Sequence, residues 1–204
     1  MNTICSAKQK DKINSTKQLI QDYVKTLSFL LKQIDCNQVS TICQWLTVLK
    51  QQKKTLYICG NGGSAANAIH IANDLTFGIS PEGDAIKVEA LSANSSILTC
   101  LGNDIGYEKI FSHQLKVKGT KGDILLALSG SGNSQNVILA IRQAKKLKMK
   151  TIAVLGFDGG IAKTIADCSV HFDINDMQIS EDAQIILGHI LMKSLYKTIN
   201  SFDV

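Results

Sequence analysis

The chain has 204 residues, of which 45% are hydrophobic and 19% are charged, and its formal net charge is +5. This size allows one full core, and six cysteines without a C-x-x-C pair exclude a disulfide scaffold and favour a reducing compartment. The lysines are spread out without interleaved aromatics, and no apolar run reaches the roughly 18 residues of a membrane span, so the sequence predicts a cytoplasmic protein without nucleic-acid or membrane partners.

Two amphipathic helices are predicted at the start of the chain. Apolar residues recur every three or four positions over residues 14–34, and a second run of this kind covers residues 39–49. We expect a break between them at Cys36-Asn37. Residues 1–53 therefore form a predicted N-terminal helical segment, to which we assign oligomerisation; the alternative is one more layer packed on the following sheet.

Residues 54–204 alternate between apolar runs and helical patterns. The predicted strands are 55–60, 86–91, 123–129, 151–155 and 168–173. The predicted helices are 64–76, 95–101, 106–117, 133–147, 161–166 and 180–199, and Gly102-Asn103-Asp104 is interpreted as a turn. This alternation predicts an α/β fold with a doubly wound, mostly parallel five-stranded sheet, built as one structural unit.

Two glycine- and serine-rich loops each follow a predicted strand and open a predicted helix. They are Gly-Asn-Gly-Gly-Ser at 60–64 and Ser-Gly-Ser-Gly-Asn-Ser at 129–134. Such a loop presents backbone N–H groups, hydroxyls and the positive end of a helix dipole at one point, which favours phosphate. Two of them predict a single crevice at the carboxyl ends of parallel strands.

Histidines and carboxylates recur at helical spacing on two of these helices. His70 and Asp74 lie four residues apart, and Glu181 and His189 lie eight apart, so each pair occupies one helix face. Together they could bind a divalent metal or act as an acid/base set. An equally good interpretation of either histidine alone is a partly buried structural residue.

The first loop also matches a relaxed dinucleotide fingerprint, Gly60-x-Gly62-x-x-Ala65, with Glu89 as the candidate ribose ligand. Glu89 comes 29 residues after Gly60, compared with the usual distance of about 20. The fingerprint also leaves the second loop without a role. A dinucleotide-dependent enzyme is therefore an alternative interpretation.

Four motifs in order, at 59–65, 101–107, 122–134 and 158–160, resemble the sugar isomerase (SIS) domain of phosphoheptose isomerases over nearly the whole chain. The resemblance implies a flavodoxin-like SIS fold and a homotetramer. It also implies an aldose–ketose isomerase that interconverts sedoheptulose 7-phosphate and D-glycero-D-manno-heptose 7-phosphate in the synthesis of lipopolysaccharide heptose.

By position, the resemblance implies roles for individual residues. The sugar-phosphate-binding set is Asn61, Gly62, Gly63, Ser64, Asp104, Ser129, Gly130, Ser131 and Ser134. The implied metal is Zn²⁺, held by His70, Asp74, Glu181 and His189. We expect Asp74 or Glu181 to be the base of the reaction and His189 to be its partner acid or base.

The chain departs from the family pattern at four positions. Asp74 replaces a glutamate, Glu181 a glutamine, Gly78 an arginine and Gly130 a threonine. The first two changes leave open which carboxylate is the base. They also support an alternative, in which an SIS protein acts on a different sugar phosphate or serves as a non-catalytic regulator.

Overall fold

The computed structural model describes residues 7–200. The strands are β1 (Thr55–Cys59), β2 (Lys87–Ala90), β3 (Ile124–Ser129), β4 (Lys150–Leu155) and β5 (Cys168–His171). The α-helices are α1 (Ala7–Leu31), α2 (Cys36–Gln51), α3 (Gly62–Asn73), α4 (Ser95–Asp104), α5 (Ile110–Lys118), α6 (Gln135–Lys146), α7 (Gly160–Ile165) and α8 (Met177–Asn200). A π-helical turn, Asp74–Gly78, continues α3, and a 3₁₀ turn, Tyr107–Lys109, precedes α5.

The described residues group into two compact units, one ending at Gln33 and the other beginning at Ile34. The first unit contains α1, on which large apolar side chains such as Leu19 and Phe29 are exposed. The second unit contains α2 and the whole sheet. The predicted N-terminal segment 1–53 groups α2 with α1, whereas in the structure α2 belongs to the unit that carries the sheet.

All five strands form one parallel sheet in the order β2-β1-β3-β4-β5. In the central pairing, Leu126 of β3 lies opposite Ile58 of β1 and Ile152 of β4. Every residue of β3 is buried, as expected for a parallel strand covered on both faces. The predicted doubly wound five-stranded α/β fold is confirmed.

The alternation of side chains along the strands divides the core between two faces of the sheet. Leu125 and Ala127 of β3 pack in one cluster with Phe111 of α5 and Ile141 of α6. The opposite face contacts α2, α3 and α8. The long helices α3 and α8 pack against each other, and this contact positions the residues of the candidate site.

Two predicted helix boundaries are wrong, for local reasons. The Asp35 carboxylate accepts hydrogen bonds from the N–H groups of Asn37 and Gln38, so it caps α2, which begins at the predicted break. Residues 102–104 continue α4, where Asn94 caps the helix start, and do not form a separate turn. Among residues 7–200, no helix is long and apolar enough to cross a membrane.

Candidate active site

A cavity of about 240 Å³ lies where β1 and β3 deliver their loops. Its lining consists of Asn61, Gly62, Ser64, Leu128, Ser129, Gly130, Ser131, Ser134, Met177 and Glu181. The strand order reverses between β1 and β3, and in open α/β sheets the crevice at this switch point is where ligands bind. The two Gly/Ser loops thus meet in one cavity, as the sequence predicts.

The hydroxyls of the second loop are fixed by the loop's own backbone. Ser129 Oγ accepts a hydrogen bond of 3.0 Å from the N–H of Gly132, and Ser131 Oγ accepts one of 3.2 Å from the N–H of Asn133. Because each hydroxyl accepts from the backbone, its own proton remains for donation. Oriented O–H donors in a cavity favour an anionic or oxygen-rich ligand.

Two helix N-termini open at this cavity without side-chain caps. Asn61 precedes α3 and Ser134 precedes α6, and in the described part of the chain neither side chain bonds to the N–H groups of its own helix. In α6 the Asn136 side chain accepts from the N–H of Val137, and within the described residues the N–H groups before it, like those at the start of α3, are left for another acceptor. Combined with the positive end of the helix dipole, such groups favour phosphate.

The Glu181 carboxylate enters this cavity from the first turns of α8. It lies against Gly63 so closely that a Cβ at that position would be 2.2 Å from Glu181 Oε2. Glycine at 63 is therefore required for the carboxylate to stand beside the start of α3. The backbone carbonyl of Glu181 is held separately, by a 2.8 Å hydrogen bond from Asn67 Nδ2.

His70, Asp74 and His189 form a second cluster where α3 and α8 pack together. The two Nε2 atoms are 3.2 Å apart, and each is 3.4 Å from Asp74 Oδ2. Asp74 begins the π-helical turn, a feature that is frequent at functional sites. The histidine side chains are about half exposed, at 52% and 44%, whereas Asp74 is 17% exposed.

These three donor atoms have the spacing of metal ligands. Zinc binds imidazole nitrogen and carboxylate oxygen at about 2.0–2.2 Å, which puts the ligand atoms of a tetrahedron about 3.3–3.6 Å apart. The observed separations are 3.2 to 3.4 Å. Two imidazoles and one carboxylate are also a ligand set that catalytic zinc uses, with one position left open. The residues present therefore fit a divalent metal.

Not every predicted site residue lies in these two places. Gly63 and Asp104 are absent from the lining of the cavity among the described residues. Asp104 is at the end of α4, where its carboxylate accepts hydrogen bonds from Asn103 and Cys100. Glu181 belongs to the cavity lining and, within the described side chains, is not part of the His/Asp/His cluster.

Sequence reasoning missed Met177, which fills the space above Gly130. A Cβ on Gly130 would lie 2.5 Å from Met177 Sδ. The Met177 side chain thus occupies the space that a side chain at position 130 would need. The sequence signal for this contact is the pair of Gly130 in the loop and Met177 at the start of α8. It could not be used without knowing that α8 packs against the loop.

A polar network that sequence reasoning also missed holds Asn61, a residue of the cavity lining. Asn61 and Asn136 exchange two side-chain hydrogen bonds, of 2.9 and 2.8 Å, and Tyr107 donates its hydroxyl proton to Asn61 Oδ1 at 2.9 Å. Asn136 is buried, at 2% exposure. The sequence places these residues on three separate elements, so no spacing pattern connects them.

Two other chemistries lose support in the structure. Burial raises the pKa of the Cys59 thiol to about 12, so this cysteine beside the first loop is a poor nucleophile. Glu89, the candidate ribose ligand, instead forms an ion pair with Lys118. The dinucleotide interpretation thus lacks its acidic residue.

Comparison with known proteins agrees with this fold. The family model described as "SIS domain" matches residues 8–156, so the chain belongs to the SIS domain family. It is 42% identical to the phosphoheptose isomerase of a Nitratiruptor species over 74% of this chain and 80% of that protein. Within the SIS domain family, the chain is a member of the phosphoheptose isomerases.

Two further relatives cover most of the chain. The phosphoheptose isomerase of Clostridium acetobutylicum is 33% identical over 94% of this chain and 92% of its own length. The structure of phosphoheptose isomerase GmhA from Neisseria gonorrhoeae superposes with a TM-score of 0.82 at 28% identity, over 89% of this chain and 97% of that one. The family assignment thus covers both the sequence and the fold.

Proposed function

We propose that this protein interconverts sedoheptulose 7-phosphate and D-glycero-D-manno-heptose 7-phosphate. The observation that carries the proposal is that two helices packed against each other, α3 and α8, both contribute residues to the cavity and to the His/Asp/His cluster. Ser64 and His70 lie on α3, and Glu181 and His189 lie on α8, so these two helices join a phosphate-binding cavity to a cluster of acid/base groups. The named relatives are phosphoheptose isomerases, which supports this substrate class.

The reaction moves a proton between two neighbouring carbons and needs a base, a group that exchanges protons with the sugar oxygens, and positive charge near the developing oxyanion. The serine loop and the start of α6 bind the phosphate. Ser64 contributes to the phosphate site, and Asn61 contacts the sugar. His189 exchanges protons with the sugar oxygens, because an imidazole can both give and take a proton near neutral pH.

The two carboxylates have different surroundings, which suggests different roles. Asp74 Oδ2 is 3.4 Å from both imidazole nitrogens, whereas Glu181 lines the cavity beside the serine loop. A carboxylate that ligates a cation is a weaker base. We therefore assign Asp74 to the metal and Glu181 to the substrate proton.

His70, Asp74 and His189 would hold the metal, for which we propose Zn²⁺. When bound, it supplies Lewis-acid stabilisation of negative charge on a substrate oxygen. Glu181 could instead be a fourth metal ligand, which would make it a weaker base. The variants Glu181→Gln and Asp74→Asn distinguish these two roles of Glu181.

We further propose that the protein is a cytoplasmic homotetramer acting in the synthesis of lipopolysaccharide heptose, with residues 1–53 contributing to assembly. The exposed apolar side chains of α1 support the assembly role, because an apolar face of this kind is a typical subunit contact. Sedimentation of the full chain at micromolar concentration should give a tetramer, and a stable monomer would contradict it.

The first experiment is an isomerase assay with sedoheptulose 7-phosphate, before and after chelation and after zinc is restored. We expect turnover that chelation removes and zinc returns. Binding of the sugar phosphate without turnover would instead favour the non-catalytic alternative.

The second experiment compares Glu181→Gln with Asp74→Asn, using Glu82→Gln on an exposed turn as the matched control. We expect Glu181→Gln to lower kcat by about a hundredfold or more while zinc stays bound, in the range typical of acid/base residues. Asp74→Asn should lose zinc. A silent Glu181→Gln with a dead, zinc-loaded Asp74→Asn would make Asp74 the base.

A further inference from the structure

The Asn61 side chain is held in one orientation by residues that do not line the cavity themselves. Asn136 and Tyr107 are both absent from the lining, yet both bond to the Asn61 amide. An asparagine at a helix N-cap position normally bonds to its own helix, but Asn61 does not cap α3. Its side chain is committed to this network instead.

The backbone of α6 fixes which way the two amides point. Asn136 Oδ1 accepts a 2.9 Å hydrogen bond from the N–H of Val137. Because a backbone N–H can only donate, the atom facing it must be the oxygen, and the Asn136 Nδ2 position follows. The reciprocal pairing then requires Asn61 to direct Nδ2 towards Asn136 Oδ1 and Oδ1 towards Asn136 Nδ2.

This network leaves Asn61 with a donor and no free acceptor. Asn61 Oδ1 already accepts from Asn136 Nδ2 and from the Tyr107 hydroxyl. One Nδ2 proton goes to Asn136, and the second proton has no partner within the described part of the chain. Asn61 lines the cavity, so the group that it can offer a ligand is an N–H donor.

We propose that Asn136 and Tyr107 are positioning residues that hold the Asn61 amide as a hydrogen-bond donor towards a sugar oxygen. The inference rests on the proposed isomerase function, in which that oxygen gains negative charge as the proton leaves carbon. A pre-oriented donor stabilises this charge, whereas an amide free to rotate would also present its oxygen and repel it.

The test is a double-mutant cycle between Asn61 and its two partners. Asn136→Asp keeps the acceptor for Val137 but removes the donor to Asn61 Oδ1. We expect it to lower kcat/KM by about tenfold to a hundredfold, in the range of misplaced catalytic groups. Tyr107→Phe removes one neutral hydrogen bond and should lower kcat/KM by about two- to tenfold. Tyr107 is 61% exposed, so this second variant keeps the fold.

The signature of positioning is non-additivity. In an Asn61→Ala background neither Asn136→Asp nor Tyr107→Phe should lower kcat/KM further, because their effect acts through the missing amide. Full additivity in the cycle would overturn the proposal, as would normal kcat/KM in both single variants.

Gln114→Glu is the matched control for the change from a buried amide to an acid. Gln114 is 3% exposed and donates to the carbonyls of Leu91 and Ile110, away from the cavity. This variant should lose stability and keep the wild-type kcat/KM. A loss of kcat/KM equal to that of Asn136→Asp would mean that the effect is general destabilisation.

Failure of the proposed function is distinguishable from failure of this inference. If the wild type binds sedoheptulose 7-phosphate but does not turn it over, the function fails, and the same cycle is measured as Kd by calorimetry. Non-additive Kd values then support the positioning role, and additive values overturn it. Absence of binding by the wild type overturns both.

Discussion

The serine hydroxyls at 129 and 131 combine two tasks, because each accepts a hydrogen bond from its own loop and retains a proton for a ligand. Their burial differs, which separates the tasks in a variant. Ser129 is 4% exposed, so its loss also leaves the buried N–H of Gly132 without its acceptor. Ser131 is less buried, and its loss mainly removes a donor to the ligand.

We therefore predict that Ser131→Ala raises KM for the sugar phosphate by about tenfold with little change in stability, as for the loss of a hydrogen bond to a charged group. Ser129→Ala should raise KM and also lower the free energy of unfolding. Steady-state kinetics and urea unfolding measure the two effects, with Ser96→Ala on exposed α4 as the control. An unchanged KM in both variants would place the phosphate elsewhere.

At the scale of single residues, most predicted site residues lie in the cavity or in the His/Asp/His cluster, but the sequence does not predict how they divide between the two places. Ser64 and Ser134 are predicted from loops whose backbone N–H groups favour anions, and His70 and Asp74 are predicted from helical spacing. From sequence, Glu181 is both a candidate base and a candidate metal ligand, because a spacing of eight residues puts it on the face of His189. The structure directs its carboxylate to Gly63, because α8 enters beside the start of α3.

At the scale of elements, the strands are predicted well because continuous apolar runs leave few alternatives in a buried parallel sheet. Predicted strand 151–155 differs by one residue from β4. Helix ends are predicted less well, since caps such as Asp35 decide them. The π-helical turn at Asp74 has no sequence pattern, so its effect on the carboxylate position is invisible before the structure.

The second loop contains two glycines that the structure uses differently. Gly132 has φ +66°, and a Cβ there would lie 2.0 Å from the backbone oxygen of Gly159. A Cβ on Gly130 would instead meet Met177 Sδ, the end of a flexible and partly exposed side chain. The backbone at Gly159 cannot move away from a Cβ at position 132, whereas the Met177 side chain can move away from a Cβ at position 130.

This contrast predicts that Gly132→Ala costs more than about 3 kcal/mol of unfolding free energy, from positive φ and a backbone collision together. Gly130→Ala should cost no more than about 1 kcal/mol, since only a side chain must shift. Urea unfolding of both variants at one protein concentration measures this. Equal costs would show that the loop is free to rearrange.

At the scale of the whole molecule, two aspartates connect strands at one end of the sheet, and the candidate site lies at the other end. The carboxylate of Asp123 accepts from the N–H of Thr55 at the start of β1, and that of Asp167 accepts from the N–H and hydroxyl of Thr151 in β4. These aspartates connect strands at their amino ends. The cavity lies at the carboxyl ends, so changes at Asp167 should alter stability without altering substrate binding.

The pKa of Asp167 gives this separation a pH dependence. Partial burial alone would raise the pKa of the Asp167 carboxyl, but hydrogen bonds from Lys145 and Thr151 lower this pKa below the ordinary value of 3.8. A carboxyl group with a lower pKa in the folded state stabilises the fold above its unfolded pKa, and this contribution is lost as the pH falls through the folded pKa.

Asp167→Asn should therefore be destabilised at pH 7, and the difference in unfolding free energy between this variant and the wild type should shrink below about pH 4. Urea unfolding at fixed protein concentration measures the difference, and Glu82→Gln, with an exposed side chain, is the control. KM of the Asp167→Asn variant at neutral pH should equal the wild-type value. A stability difference that persists unchanged at low pH would mean that the Asp167 charge does not stabilise the sheet, and an altered KM would mean that the two ends of the sheet are coupled.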